Sequence, residues 1–231
     1  MLVLGLDTAT SAVGAAVVEV DDRTTTRAWL RTVDPRAHAE LLGPQIRAVL
    51  REAGAGPADL AAIVAGTGPG PFTGLRVGLA TAAAMGQALG IPTYGVCTLD
   101  AIAAEAAGSL GGRTLVATDA RRREIYWAVY DRGERVSEPA VDLPAVVAKE
   151  ATRLGAEVAV GEGAHRYAAD LALPVPDEPR YPHPAALVTL AADRVRAGAP
   201  GERLVPRYLR RPDVAAPRPP KPATPTRAGR R

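Results

Sequence analysis

The chain has 231 residues, 47% of them hydrophobic and 23% charged, which excludes fully disordered, fibrous and disulfide-scaffold proteins and leaves enough length for one domain or two small ones. The net charge of +3 hides an asymmetry, because Arg203 to Arg231 carries +8 and residues 1–202 carry −5; that is the signature of an interaction tail rather than a basic face on the fold. A lone cysteine (Cys97), no apolar run near the ~20 residues of a membrane span and an opening without a basic n-region lead to the expectation of a soluble cytoplasmic protein with no membrane contact.

Leu2–Asp7 reads as an apolar strand, Thr8 to Ser11 as a turn and Val13–Glu19 as the returning strand, with a third strand over Thr24–Val33. Asp34-Pro35 signals the start of a helix running to about Ala53, with Leu41, Leu42, Ile46, Val49 and Leu50 in one apolar stripe. A short buried strand, Leu60–Gly66, feeds the glycine-rich loop TGPGPFTG and a second helix to about Leu89, for which Thr73 is the expected N-cap. Tyr94–Val96 is another strand. The second half opens with Arg113–Asp119, a turn, and Glu124–Asp131. At an offset of 112 residues, Asp7 aligns with Asp119 and Val17 with Val129, a weak internal repeat that suggests two related α/β lobes. From Val214 onward the chain has five prolines and no large apolar residue, so it is expected to be disordered.

An aspartate at a strand end facing a tight turn can hold a hydrated cation while the turn amides approach a phosphate. The plainer reading of Asp7 and Asp119 is that each caps its own turn. TGPGPFTG is not a Walker loop, since no Gly-Lys-Ser/Thr comes after it. Beyond it, Gly74, Gly78, Ala82 and Gly86 form a stripe that is nearly bare of side chain, which calls for something close against that backbone, within the lobe or on another protein. His38, His165 and His183 have no metal-ligand spacing, and Cys97 reads as a buried inert thiol. Arg121-Arg122-Arg123 is either a solvated turn or an anion contact, with Tyr126 and Trp127 beside it in a strand.

The segments LGLDTATSAVGAAV, HAELLGPQI, GTGPGPFTGLRVGLATA with Gly86, GVCTLDAIA, DARRREIYWAVY and PRYLRRPDV, in this order, resemble the bacterial TsaB family. This family supplies the partner of the tRNA adenosine threonylcarbamoyltransferase TsaD. The resemblance spans about residues 1–210. It implies an α/β fold of the two-lobed actin-like ATPase (ribonuclease H-like) type, with mixed sheets flanked by helices. Expected domains are a first lobe over 1–98, a shortened second lobe over 99–211 and a Pro/Arg-rich tail over 212–231, with a late helix near 185–197 as a candidate to return to the first lobe.

The resemblance also implies a non-catalytic subunit without a cofactor or metal, which binds TsaD and the ATPase TsaE during threonylcarbamoyl transfer to the adenosine beside the anticodon. On that reading His38, Leu41, Leu42, Gly74, Arg76, Val77, Gly78, Ala80 and Thr81 are the candidate partner-binding residues. Asp7, Thr8, Asp119 and Arg121 are remnants of phosphate loops. A homodimer is an option for the chain alone, and tRNA is expected to be met only through the complex or weakly through the basic tail. The alternative is an ATP-dependent small-molecule kinase or acyl-phosphate enzyme of the same fold, for which Gly161-Glu-Gly163 is the one candidate adenosine loop. A metal peptidase fails on the histidine count.

Overall fold

A computed structural model describes residues 1–210; the proposed tail at 212–231 lies outside the described residues. The first sheet is built on β1 (Leu2–Asp7) and β2 (Ala12–Val20), an antiparallel hairpin, with β3 (Thr24–Val33) on its far edge. β4 (Leu60–Gly66) and β5 (Thr93–Val96) add in parallel on the other side, giving the order β3-β2-β1-β4-β5. β1 and β2 are buried on both faces, which is why they read as nearly continuous apolar runs rather than alternating ones.

The second sheet repeats the plan. β6 (Arg113–Asp119) and β7 (Ile125–Asp131) form the hairpin, the short β8 (Glu134–Arg135) and β9 (Ala140–Asp142) flank β7, and β10 (Val158–Val160) runs parallel beside β6. The half-chain repeat is therefore a repeat of topology. A strictly linear offset of 112 slips on the return strand, however, because five residues separate the paired Asp119 and Ile125 where six separate the paired Asp7 and Gly14. Leu4 faces Val17, whereas its counterpart Val116 faces Ala128, so Ala128 rather than Val129 matches Val17.

Each sheet is covered on both faces. α1 (His38–Glu52) and α2 (Phe72–Leu89) lie on one side of the first sheet over Leu4, Leu6, Val13 and Ile63. α7 (Pro184–Arg196) lies on the other, where Leu187 and Val188 meet Val3, Val18 and Tyr94. α3 (Thr98–Ala107) leaves β5 and packs on the second sheet through Leu99 and Ile102 against Val116 and Tyr130. α4 (Pro144–Arg153), α5 (Glu162–Arg166) and α6 (Ala168–Leu171) cover the opposite face. α3 and α7 touch each other between the sheets, so each half of the chain sends a helix to that central layer.

Two helix starts differ from the expectations. α2 begins at Phe72 with Pro71 at its N-cap, so Thr73 is inside the first turn and caps nothing; the fixed φ of Pro71 makes the entry. Asp34 accepts the Arg36 N–H (2.9 Å) in a turn ahead of α1, which starts only at His38.

α7 sits unusually close to β1. A Cβ at Gly5 would overlap the Pro184 carbonyl oxygen and come within 2.9 Å of Val188 Cγ2. Gly5→Val should therefore push α7 off the sheet and cost about 1–3 kcal/mol. Gly14→Ala, whose new methyl would meet Pro184 at 3.4 Å, serves as the milder control. Urea midpoints of the two variants check this order.

Candidate functional site

The two hairpin turns close the C-terminal ends of β1 and β6. Asp7 ends β1, and its Oδ1 accepts the Ala9 N–H (2.9 Å) while Oδ2 accepts the Thr98 hydroxyl (2.7 Å). The same hydroxyl accepts the Gly68 N–H (3.2 Å), and the Thr98 N–H donates to the Gly68 carbonyl (2.8 Å), tying the glycine loop to the start of α3. Burial pushes the Asp7 carboxyl up to about 6, against the pull of the two hydrogen bonds from Ala9 and Thr98. Asp119 ends β6 in the same way: its Oδ1 accepts the Arg121 N–H (3.1 Å). Its Oδ2 meets the guanidinium groups of Arg166 (3.1 Å) and Arg121 (3.5 Å). Both aspartates thus cap their own turns through the residue two positions on.

Between the turns, Ser11 of the first lobe binds Glu162 at the start of α5 through both its hydroxyl and its N–H, the latter at 3.3 Å. Burial raises the Glu162 carboxyl, which the two Ser11 hydrogen bonds oppose. Nothing in the sequence pairs Ser11 with Glu162, 151 residues apart; only the apposition of the lobes brings them together.

Thr8 does something different from a phosphate-loop threonine. Its hydroxyl donates to the Gly74 carbonyl (2.7 Å) and accepts the Gly78 N–H (3.0 Å), inserting itself between groups four residues apart on α2. A Cβ at Gly78 would overlap that hydroxyl, and one at Gly74 would lie 2.7 Å from the Thr8 carbonyl oxygen. Gly74, Gly78, Ala82 and Gly86 are all buried within the lobe. The stripe is bare because the β1–β2 turn presses on Gly74 and Gly78 and Thr93 of β5 presses on Gly86.

This divides the nine candidate partner-binding residues. Leu42, 1% exposed in the core beneath α1, and the buried Gly74 and Gly78 face inward. Arg76 and Ala80 are exposed on the outer face of α2; Leu41, Val77 and Thr81 are half-buried. His38, also half-buried, bridges the two helices: its Nε2–H donates to the Thr10 carbonyl (2.8 Å) and its ring lies over Gly74.

The outer face of α2 carries a cluster that sequence reasoning did not find. Phe72 stacks on Tyr208 (4.6 Å between ring centres), the Arg76 guanidinium lies 3.6 Å over the Phe72 ring, and Arg76 Nε donates to the Tyr208 hydroxyl (3.1 Å). Tyr208 belongs to a strap after α7 that binds the first sheet through Glu202 N–H to Thr93 O (2.7 Å) and Arg207 N–H to Thr67 O (2.8 Å). The strap and α2 enclose an open groove of about 1070 Å³, lined among others by Leu79, Ala83, Leu204 and Val205.

The remaining candidates are dispersed. Cys97 is buried, its thiol pushed up to about 11 chiefly by that burial and by the nearby Asp100 charge. His183 caps α7, accepting the Ala185 N–H, and His165 contacts Arg180. Among the described residues no cluster of three or more His, Cys, Asp or Glu is placed to hold a metal.

A family model described as "TsaD: tRNA N6-adenosine threonylcarbamoyltransferase" matches residues 32–176. The Escherichia coli protein named tRNA threonylcarbamoyladenosine biosynthesis protein TsaB is 35% identical over 71% of this chain and 72% of its own length. The chain belongs to the TsaB family. An uncharacterised Mycobacterium tuberculosis protein is 52% identical over 92% of this chain and 93% of its own. A Pseudomonas aeruginosa structure described as similar to peptidase YeaZ superposes with a TM-score of 0.74 at 31% identity, covering 90% of this chain and 99% of that one. The TsaB-family fold reaches further: a Clostridium difficile dehydratase activator with bound ADPNP superposes at 0.54 and 11% identity, over 85% and 96% of the chains, which shows the actin-like architecture alone.

The Asp7 geometry has a pH signature. The folded carboxyl titrates near 6 against an ordinary value of 3.8, so between those values the folded state binds more protons than the unfolded one. Stability contributed by neutral Asp7 is then present below about pH 4 and lost as pH rises through 6, with a total on the order of 3 kcal/mol. Asp7→Asn keeps an acceptor for Ala9 and removes the ionisation. It should exceed the wild type in stability at pH 7.5 and lose that advantage towards pH 4, as read from unfolding free energies across the range.

Proposed function

We propose that this chain is a non-catalytic subunit in tRNA threonylcarbamoyladenosine biosynthesis, which binds the catalytic subunit TsaD, works with the ATPase TsaE, and meets its partner through the outer faces of α1 and α2. The observation that carries the reading is the Thr8 insertion. It turns the glycine side of α2 inward and leaves Arg76, Val77, Ala80 and Thr81, beside His38 and Leu41 of α1, on the side away from the sheet. A helix held from behind in this way offers a rigid surface at little ordering cost.

The fold family is built around a magnesium nucleotide, and the residues present fit that group poorly. The Asp7 carboxylate is enclosed by Thr98 and Ala9, and that of Asp119 by Arg121 and Arg166. Ser11 and Glu162 bind each other across the cleft. At Gly161-Glu-Gly163, a Cβ on either glycine would overlap the backbone of Ala117 or Thr118, so this segment packs onto β6 instead of forming an open adenosine loop. These contacts support an assembly role over the kinase alternative. The isolated protein is accordingly expected to hydrolyse ATP no faster than background. A magnesium-dependent activity abolished by Asp7→Ala or Asp119→Ala would reverse that choice.

The interface is tested by separating the two faces of α2. Val77→Asp and Ala80→Trp should abolish co-purification with TsaD and the transfer activity of the reconstituted subunits, while leaving the melting temperature within a few degrees of wild type. Gly78→Leu should instead destabilise the isolated chain by roughly 3 kcal/mol, through overlap with Thr8. Normal TsaD association of both outer-face variants would refute the assignment.

A further inference from the structure

We propose that a small oxyanion, a phosphate or a carboxylate, binds in the pocket between the two lobes, held by Arg180, His165 and Arg166. None of the residues that line this pocket belongs to α1 or α2, so the proposal stands apart from the subunit reading above.

The pocket has a volume of about 570 Å³. Ser11 and Pro35 enter it from the first lobe, and Asp119, α5 and the segment ahead of α7 from the second. Arg180 lies on that last segment, which is fastened to the start of α5 by the Gly161 N–H donating to the Pro179 carbonyl (3.0 Å). Its guanidinium is half-buried and, among the described residues, has one partner, the His165 ring, at 3.1 Å between Nη2 and Nδ1. Glu178 is engaged elsewhere: its carboxylate accepts the Arg180 backbone N–H (2.7 Å) and lies 3.7 Å from Arg31. Arg180 is thus a partly desolvated cation without an ion pair, which is unfavourable unless an anion accompanies it.

The imidazole adds a second unmet need. A guanidinium can only donate, so His165 Nδ1 is the acceptor and the ring proton sits on Nε2. That Nε2 and Arg180 Nε are both buried donors without a partner. The two side chains hold no bond other than the one to each other, so a modest rotation presents both donors to the pocket they line.

The carboxylates of the pocket do not oppose an anion. Asp119 is covered by Arg166 (3.1 Å) and Arg121 (3.5 Å), and Glu162 is turned to the Ser11 hydroxyl and N–H. Three guanidinium groups, Arg121, Arg166 and Arg180, therefore stand against two acids that already have partners. Guanidinium and imidazole N–H groups converging in a sheltered pocket are the donors that carboxylates and phosphates require.

The test is calorimetric titration of the full chain with inorganic phosphate and, separately, with malonate at constant ionic strength, with the melting temperature measured in each anion. The wild type should show one saturable site and a raised melting temperature. The tighter of the two anions tells a phosphate ligand from a carboxylate. Arg180→Gln should weaken that anion about tenfold or more, as for the loss of a charged hydrogen bond, and Arg180→Lys should recover part of the affinity. Arg166→Gln, which leaves Asp119 its Arg121 contact, should also weaken binding and decides the matter if the Arg180 variants melt far below wild type. Arg153→Gln on α4, outside the pocket, is the charge control and should bind as the wild type does. A wild type without a saturable site overturns the proposal. So does binding left unchanged by Arg180→Gln and Arg166→Gln, or weakened equally by Arg153→Gln. MgATP is titrated in parallel: binding far tighter than either anion and lost in Asp7→Asn would assign the cleft to a nucleotide and overturn the proposal as well.

Discussion

One hydroxyl sets the orientation of the first lobe's outer helix. Thr8 lies between the Gly74 carbonyl and the Gly78 amide, and it can reach them only because neither glycine has a side chain in the way. The bond pair seats the β1–β2 turn on α2, brings His38 of α1 over Gly74, and determines which residues of α2 remain outside. Isolated, an 18-residue helix with three glycines would form poorly. In the fold its bare side is filled, by Thr8 at Gly74 and Gly78 and by Thr93 at Gly86.

The two halves of the chain show how one hairpin plan diverges. Asp7 and Asp119 keep the same turn-capping bond to the residue two positions on. The turns beyond them differ: a neutral one plugs a helix in the first lobe, and an exposed run of arginines forms the other in the second. The lobes are then joined where such folds ordinarily admit a ligand, through Ser11 and Glu162, with Arg210 tying the end of the strap to the second turn. Beside that bond an open pocket of about 570 Å³ remains, lined among others by Asp119, Arg121 and Arg166.

Much of this was legible in the amino-acid order. The hairpins, β3 and the end of α2 near Leu89 are local patterns, because apolar runs and turn residues act within a few residues. The register slip was not, since one residue fewer in a turn changes which side chains face each other without altering either strand's pattern. The N-cap expected at Thr73 failed because Pro71 already supplied the entry geometry. Most segments between Asp131 and α7 are short and take their form from packing on β6 and β7, which leaves weak periodicity.

The site divides along the same line. From the sequence came the two aspartates as turn caps, the need for a close neighbour along Gly74, Gly78, Ala82 and Gly86, and the inertness expected of Cys97. Which neighbour it was, the pairing of Phe72 with Tyr208 and that of Ser11 with Glu162 depend on residues 66 to 151 positions apart. Spacing along the chain carries no information about such pairs, because they are brought together only by burial of the two sheets against their helices. The side of α2 that faces outward was decided at that level, by a threonine hydroxyl needing two partners and a glycine backbone able to provide them.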